Sequence, residues 1–252
     1  MTRLSLLITG ASSGIGAALA EHYAAHLKEN VTLGLVARRA DRLEALALKA
    51  RAQGAEVHSY TADVRDPGAM ADVTRAFDQV TGGVDVAIAN AGISQSDGLH
   101  LGKAERGSTI IATNVQGTIN TLLPLIPPMI ERGRGHLVTV GSVAGFRGLP
   151  GKGAYCASKA AVRMLMDSYR PLMKPHGIRV TTICPGWVES ELTTGSTYAK
   201  PFIMPADRAA RLIARAIDRG KRTYVFPWQM RLVSLALPWV PDWMLPLREL
   251  NK

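Results

Sequence analysis

A tyrosine and a lysine stand four positions apart in the stretch AYCASKAAV, residues 154–162. Residues at positions i and i+4 lie one above the other on one face of a helix, so the phenol of Tyr155 and the ammonium of Lys159 can serve one site. A phenol has an unperturbed pKa of about 10, and a neighbouring cation lowers that pKa because it favours the phenolate. The pair can therefore form a tuned proton donor. Many helices carry such a pair without function, so the rest of the chain has to decide.

A glycine-rich turn near the N-terminus is the second feature suited to chemistry. The sequence TGASSGIG, residues 9–16, follows an apolar run and precedes a stretch with helical spacing. Its glycines allow a tight turn and let a pyrophosphate approach backbone N–H groups at a helix N-terminus. No Lys-Ser/Thr follows, as a P-loop would require, and a plain strand-to-helix turn is the alternative. The loop residues expected to bind a dinucleotide are Gly10, Ser12, Ser13, Gly14, Ile15 and Gly16.

The end of the second apolar run bears on the choice of cofactor. A NAD-binding domain usually has an acid there, about twenty residues beyond the last glycine, that binds the ribose hydroxyls of adenosine. This chain reads VARRAD, with Ala37 in the place of the acid and Arg38 and Arg39 directly after it. An arginine suits a 2′-phosphate, so the sequence favours NADP(H) with Arg38 as its ligand. The alternative is a solvated surface, and for Arg39 that interpretation is the preferred one.

Seven short aliphatic and β-branched runs recur along the chain, and several are apolar almost throughout, which is typical of strands buried on both faces. They lie at 4–9, 31–37, 56–62, 84–90, 136–141, 178–184 and 223–227. Stretches with helical spacing separate them, at 17–28, 42–53 and 67–80, the last with Asp66 as its N-cap. This alternation predicts an α/β fold: one domain, residues 1–252, with a doubly wound parallel sheet of about seven strands flanked by helices. Ligands then bind at the carboxyl ends of the strands.

The order of the motifs resembles the short-chain dehydrogenase/reductase family from about Leu4 to Leu192. The matching segments are TGASSGIG, Asp63 and Val64 in DV, NAGI at 90–93, Asn114 in ATNVQG, Ser142 in GSVAG, and PGWVES from Pro185. Tyr155 and Lys159 follow thirteen and seventeen residues after that serine. The resemblance implies a Rossmann-like fold, a nicotinamide cofactor and the interconversion of carbonyls and alcohols.

The resemblance also implies a role for each of four residues. Tyr155 is the acid/base, Ser142 hydrogen-bonds the substrate oxygen, and Lys159 holds the nicotinamide ribose and lowers the pKa of the tyrosine. Asn114 holds a water that links Lys159 to solvent, or it is a structural hydrogen-bonding residue in an apolar helix. A hydride added to a carbonyl carbon leaves an alkoxide that needs a proton, so this set fits the chemistry.

The remaining cofactor contacts are implied by the same resemblance. Asp63 and Val64 meet the adenine; Asn90, Ala91 and Gly92 line the adenosine ribose; Pro185, Gly186 and Val188 flank the nicotinamide; and Ser190 replaces a threonine that contacts the cofactor. Family members are often dimers or tetramers, so a homo-oligomer is expected.

Composition limits the partners. The chain has 30 Lys+Arg against 20 Asp+Glu, a net charge of +10 that suits nucleic acid, an anionic membrane surface or a polyanionic cofactor. Nucleic acid ranks last, because the arginines are scattered without an aromatic-lined strand surface or a reading helix. The two cysteines, Cys156 and Cys184, form no C-x-x-C pair, which argues against a disulfide framework or a zinc site. The N-terminal apolar run is too short for a signal peptide, so a cytoplasmic protein is expected.

Two segments beyond the motifs bear on the substrate. Residues 187–205 form a long segment where a lid over substrate is expected, and its Trp187, Leu192, Tyr198, Phe202, Ile203 and Met204 suggest an apolar substrate. Residues 228–252 form an extension with three of the four tryptophans, interrupted by prolines and too short to span a bilayer. A cover over the pocket or a subunit interface is the favoured interpretation. The alternative is a peripheral contact with the inner face of a membrane.

The sequence thus predicts an NADP(H)-dependent reductase or dehydrogenase that acts on an apolar ketone or secondary alcohol. One alternative keeps the enzyme and changes the substrate to a lipid-derived carbonyl at a membrane surface. Another is a dinucleotide-binding sensor without turnover. A sensor needs the glycine loop and not the proton donor, so the intact Ser142, Tyr155 and Lys159 argue against it.

Overall fold

A computed structural model describes residues 3–98, 101–102, 104–194 and 199–245. Within them, seven strands form one parallel sheet with the order β3-β2-β1-β4-β5-β6-β7. The strands are β1 (Leu4–Thr9), β2 (Val31–Ala37), β3 (Glu56–Thr61), β4 (Val86–Ala89), β5 (Gly135–Val140), β6 (Ile178–Pro185) and β7 (Thr223–Phe226). The predicted Rossmann-like sheet of about seven strands is confirmed.

Helices cover both faces of the sheet. They are α1 (Gly14–Leu27), α2 (Ala40–Ala52), α3 (Pro67–Thr81), α4 (Glu105–Ile111), α5 (Gly117–Leu122), α6 (Ile126–Arg132), α7 (Gly153–Met173), α8 (Ala206–Asp218) and α9 (Trp228–Ala236). Buried residues of α1, α2 and α8 form the core on one face. Those of α3, α5, α6 and α7 form the core on the other.

Strand β1 shows why the central runs are apolar throughout. Leu6 and Ile8 belong to one core cluster, whereas Leu7 between them belongs to the other. All three are fully buried. Successive side chains of a strand point to opposite faces, so a strand between two helical layers needs apolar residues at every position. Each such side chain contributes about 1.5–3 kcal/mol of burial free energy.

Most element boundaries lie within a few residues of those predicted. Strand β4 begins two residues later than predicted, after a connection in which the amide of Val84 donates to Asp78 Oδ1 at 2.8 Å. Helix α1 begins at Gly14, inside the glycine loop, three residues before the predicted start. The predicted cap of α3 is confirmed, since Asp66 Oδ1 accepts from the amide of Ala69 at 3.0 Å.

The strand order reverses between β1 and β4, which are neighbours although two strands separate them along the chain. Because all strands are parallel, the segments after β1, β4, β5 and β6 emerge at one edge of the sheet. These segments carry the glycine loop, the NAGI motif, Ser142 and Gly186. The topology therefore gathers the predicted motifs where such sheets bind ligands.

Candidate active site

A cavity of about 430 Å³ opens at this edge of the sheet. Of the residues predicted to form the site, its lining includes Gly10, Ser12, Ser13, Gly14, Ile15, Arg38, Asp63, Val64, Asn90, Ala91, Gly92, Ser142, Tyr155, Lys159, Pro185, Gly186, Val188 and Ser190. Gly16 and Asn114 are not part of the lining. One concave surface therefore joins the dinucleotide motifs to the proposed catalytic groups.

The glycine loop is packed so closely that side chains are excluded. A Cβ on Gly16 would lie 2.4 Å from the carbonyl oxygen of Gly10, and one on Gly10 would lie 2.7 Å from Ala91 Cα. Gly10 also has a φ of +69°, which disfavours other residues. The Asn90 side chain donates to the carbonyl oxygens of Thr9 at 3.0 Å and of Gly10 at 3.3 Å. Gly16 and Asn90 thus hold the loop in shape.

The start of helix α1 suits a phosphate ligand. Ser13 occupies the N-cap position with an extended backbone, and its side chain makes no capping hydrogen bond. The N–H groups in the first turn of a helix lack partners within the helix and carry its positive dipole end. The Ser13 hydroxyl instead accepts from Arg39 Nη2 at 2.8 Å. The loop and helix therefore fit a dinucleotide pyrophosphate.

The two consecutive arginines take different positions. Arg38 is mostly exposed, and its Nη1 lies 3.8 Å from Asp63 Oδ2. Arg39 reaches over the glycine loop, where its Nη2 donates to Ser12 Oγ at 2.9 Å as well as to Ser13. The interpretation of Arg39 as a solvated surface residue is therefore wrong. Both arginines line the cavity, and Arg39 is a phosphate-ligand candidate that the sequence analysis omitted.

The proposed catalytic side chains converge at the other end of the cavity. Ser142 follows β5 and caps a short 3₁₀ turn, where its Oγ accepts from the amide of Ala144 at 3.1 Å. Tyr155 lies in the first turn of α7, and Lys159 lies one turn later with its Nζ 5.8 Å from the centroid of the tyrosine ring. Tyr155 and Lys159 therefore lie on one face of the helix, as predicted.

Burial sets the protonation of this pair. Burial raises the pKa of the Tyr155 phenol, and a hydrogen bond with Ser142 acts in the opposite direction. Burial also lowers the pKa of Lys159 to about 8. Lys159 Nζ donates to the carbonyl oxygen of Val140 at 2.8 Å. Desolvation disfavours both charged forms, so the net change in the pKa of the phenol is upward. The expected lowering contribution of Lys159 to the pKa of Tyr155 remains a prediction.

Replacing Lys159 by Met is expected to stabilise the folded chain. Lys159 is only 6% exposed, and the fall of its pKa from 10.5 to about 8 corresponds to a cost of about 3 kcal/mol at pH 7. The lysine binds its proton less tightly in the folded than in the unfolded chain, so wild-type stability rises between pH 8 and 10.5. The advantage of Lys159→Met should therefore be about 1 kcal/mol smaller at pH 9 than at pH 7.

Urea unfolding at the two pH values measures this difference. Lys49→Met is the matched control, since the Lys49 side chain is 70% exposed on α2. It should change stability little at either pH. A Lys159→Met chain that is less stable than wild type at pH 7 would contradict the assigned cost of the buried ammonium.

Asn114 lies in a π-helical turn, Ala112–Gln116, between α4 and α5. Its Nδ2 donates to the Ile93 carbonyl at 3.0 Å and to Ser158 Oγ at 2.9 Å, and its Oδ1 accepts from the Ile93 amide at 2.8 Å. These bonds connect the NAGI loop to α7, as expected if Asn114 is a structural hydrogen-bonding residue. Its role in holding a water remains a prediction.

Asp97 is a positioning residue that the sequence analysis did not identify. Its carboxylate accepts from the backbone amides of Gly153 and, at 3.1 Å, of Ala154. These amides open helix α7, which carries Tyr155. The carboxylate thereby satisfies N–H groups that the helix leaves free and complements its dipole. No local periodicity marks this loop aspartate, so its role depends on a contact across 57 residues of chain.

The predicted lid contributes less apolar surface to the cavity than expected. Of its described apolar residues, Val188 and Leu192 line the cavity, whereas Met204 is buried at the base of the segment. The amide of Met204 donates to the carbonyl oxygen of Trp187 at 3.1 Å. Phe202 and Ile203 are exposed by 51% and 41%. Tyr198 lies outside the described residues.

The C-terminal extension lies beside the substrate side of the site. Met230 of α9 packs against Gly186, where an added Cβ would lie 2.7 Å from Met230 Cγ. Arg147, just beyond the Ser142 turn, donates to the carbonyl oxygen of Pro238 at 3.0 Å and pairs with Asp242. Residues 246–252 lie outside the described part of the chain. No helix among the described residues is long and apolar enough to cross a membrane.

A family model described as short chain dehydrogenase matches residues 5–200. This match covers more than half of the chain and includes every motif of the site. The chain belongs to the short-chain dehydrogenase family. It is an oxidoreductase of that family and, like its structural relatives, has a site suited to a pyridine nucleotide.

Similar proteins agree with this assignment. A protein of Myxococcus xanthus named as an uncharacterized oxidoreductase is 42% identical, over 96% of this chain and 94% of its own. A short-chain dehydrogenase from Sphingobium yanoikuyae, solved in complex with NADPH, is 30% identical with a TM-score of 0.82, and the match covers 92% of each chain. An alcohol dehydrogenase from Thermococcus sibiricus, complexed with 5-hydroxy-NADP, is 27% identical with a TM-score of 0.78, over 89% of this short-chain dehydrogenase and 96% of its own chain.

Proposed function

We propose that this short-chain dehydrogenase is an NADPH-dependent reductase of an apolar ketone, or a dehydrogenase of the corresponding secondary alcohol. The observation that carries the proposal is the convergence of Ser142, Tyr155 and Lys159 in one cavity with two arginines at its other end. A non-catalytic sensor would need only the end of the cavity that holds Arg38 and Arg39 (the arginine end).

The side chains can perform a carbonyl reduction. NADPH, when bound, supplies the hydride. Ser142 donates a hydrogen bond to the carbonyl oxygen, which fixes the substrate within reach of Tyr155. The buried phenol is neutral, because burial raises its pKa, and a neutral phenol is the form that donates a proton to the developing alkoxide. Lys159, 5.8 Å from the ring centroid, then stabilises the resulting phenolate when it is protonated.

The proposed preference for NADP(H) rests on the arginine end. Arg39 provides a guanidinium group beside Ser12 and Ser13, and Arg38 lines the same cavity, so the donor set matches a phosphate. Ala37 offers no carboxylate to bind the ribose hydroxyls or to repel the phosphate. The relatives complexed with NADPH and 5-hydroxy-NADP are consistent with this preference.

A graded panel of ketones, aldehydes and lipid-derived carbonyls, followed through NADPH absorbance, tests the activity. We expect turnover with apolar ketones, with residues 187–205 acting as the lid and Leu192 against the substrate. The chain length preferred by the enzyme distinguishes a small ketone from a lipid. NADPH binding without turnover on any member of the panel would favour the sensor.

A second candidate function follows from the exposed tryptophans. Trp228, Trp239 and Trp243 are exposed by 68%, 85% and 81%, and Leu235 beside them by 64%. None of these side chains lines the cavity. In α9 the buried residues are Met230 and Ser234, so the tryptophans face away from the core. Tryptophan is enriched at membrane interfaces, and the net charge of +10 favours anionic lipid. We therefore propose a peripheral membrane contact that delivers a lipid-derived carbonyl.

Replacing both Trp239 and Trp243 by Ser is expected to weaken binding to phosphatidylserine-containing vesicles at least about tenfold, because two aromatic side chains leave the interface. Vesicle flotation measures the bound fraction. A matched control replaces Met164 and Leu172, which are 60% and 62% exposed on α7, by Ser. If the wild-type protein does not float with the vesicles, the proposed membrane contact is wrong.

The expected homo-oligomer remains a prediction, and the same variants test it. Loss of a dimer or tetramer in the double tryptophan variant, without vesicle binding by the wild type, would identify the extension as a subunit interface. Light scattering measures the mass. The cytoplasmic location also remains a prediction, as does the exclusion of nucleic acid as a partner.

A further inference from the structure

A carboxylate already contacts the arginines at the proposed phosphate end. Glu191 follows Ser190 in the segment after β6, and its Oε2 accepts from Arg39 Nη1 at 2.7 Å. Its Oε1 contacts Arg42 Nη1 at the start of α2. Glu191 lines the same cavity as the glycine loop. These ion pairs therefore connect the lid segment to the opposite wall of the cavity.

The hydrogen bonds of Arg39 show which of its N–H donors Glu191 occupies. Arg39 Nε donates to Ser12 at 3.2 Å, and Nη2 donates to Ser12 and Ser13 at 2.9 and 2.8 Å. The remaining nitrogen, Nη1, donates to Glu191. A guanidinium has five N–H groups. The Nε and Nη2 groups of Arg39 bind the glycine loop, and an N–H of Nη1 binds Glu191.

Carboxylates already neutralise the arginines at this end of the cavity. Arg38, Arg39 and Arg42 contribute three positive charges, but Asp63 lies 3.8 Å from Arg38, and Glu191 contacts the other two. A 2′-phosphate needs the same planar N–H groups that a carboxylate accepts from. A ligand without that phosphate has no need of these groups.

We propose that Glu191 is a specificity-determining residue that competes with the 2′-phosphate of NADP(H) for Arg39 and Arg42. The proposal rests on the proposed preference for NADP(H). Binding of the phosphate replaces the carboxylate on the guanidinium groups, so Glu191 weakens the binding of phosphorylated cofactor and leaves NAD(H) unaffected.

Calorimetric titration of the full chain with 2′,5′-ADP and with 5′-AMP tests the competition, since these probes differ only in the 2′-phosphate. Glu191→Gln is expected to tighten binding of 2′,5′-ADP about fivefold, the upper end of what an exposed ion pair contributes, because Glu191 pairs with two arginines, and to leave 5′-AMP within about twofold. The control is Glu189→Gln, an exposed glutamate two residues away in the same segment, which should change neither affinity.

The outcomes separate this inference from the proposed function. Equal binding of the two probes by both the wild type and Glu191→Gln would overturn both, because no 2′-phosphate site would exist. A wild-type preference for 2′,5′-ADP that Glu191→Gln leaves unchanged or reduces would overturn the competition alone. Equal tightening of both probes would also overturn it, since that result would show a general charge effect. Thermal unfolding of each variant confirms that the comparison is between folded chains.

Discussion

Tyr155→Phe is expected to lower kcat for ketone reduction about 10³-fold, because a positioned general acid contributes about 10²- to 10⁴-fold and phenylalanine has no proton to give. The Kd of NADPH should stay within about twofold, since the change removes one hydroxyl and keeps the ring. Steady-state kinetics with the preferred member of the carbonyl panel, and fluorescence titration with NADPH, measure the two quantities.

Tyr169→Phe is the matched control for this substitution. Tyr169 lies on the same helix, α7, away from the cavity and half-buried against the core. Its loss of a hydroxyl should leave kcat unchanged. If Tyr155→Phe retains most of its activity, the proton comes from another group or from solvent, and the assignment of Tyr155 as the acid is wrong. If both variants lose activity, packing of α7 is the cause.

Charge reversal at Arg39 is expected to have the second large effect. Arg39→Glu should raise the Kd of NADPH about 100-fold and that of NADH less than about threefold, because charge-assisted hydrogen bonds contribute about 1.5–3 kcal/mol and the new carboxylate repels the phosphate. Arg38→Glu should also discriminate against NADPH, and the larger of the two effects identifies the main phosphate ligand. Fluorescence titration with both cofactors measures each Kd.

Arg75→Glu controls for the change in net charge. Arg75 is 64% exposed on α3 and pairs with Asp72, away from the cavity. It should leave both cofactors within about twofold. Equal weakening of NADPH and NADH by the reversals at Arg38 and Arg39 would remove the argument for NADP(H), because it would show damage to the glycine loop that both cofactors share.

Strand positions were largely predictable because the sheet is buried on both faces. The run at 31–37 is buried at every position and has Thr32 as its one polar side chain, and β2 has the predicted bounds. The order of strand and helix then limits the topology to right-handed crossovers. The start of α1 was less predictable, since Gly14 and Gly16 have poor helical propensity. Glycine is required at position 16 by the close approach of Gly10 and Asn90, which only the folded structure shows.

Protonation at the site could not be predicted from residue spacing. The interval between Tyr155 and Lys159 correctly predicted a shared helical face, and it predicts that Lys159 favours the phenolate. The net pKa of the phenol is nevertheless raised, because the folded chain removes both groups from water, and the helical spacing carries no information on that desolvation.

The sequence by itself determined the family and the fold, and it named most of the motif residues that line the cavity, because the motifs follow strands whose burial enforces an apolar pattern and whose parallel order brings their ends together. Only the tertiary structure decided which arginine reaches the glycine loop, that Asp97 holds the start of α7, and that Glu191 contacts Arg39 and Arg42. Each of these depends on side chains that lie far apart along the chain and meet at no fixed spacing. Such contacts arise from packing between elements, which no local pattern encodes.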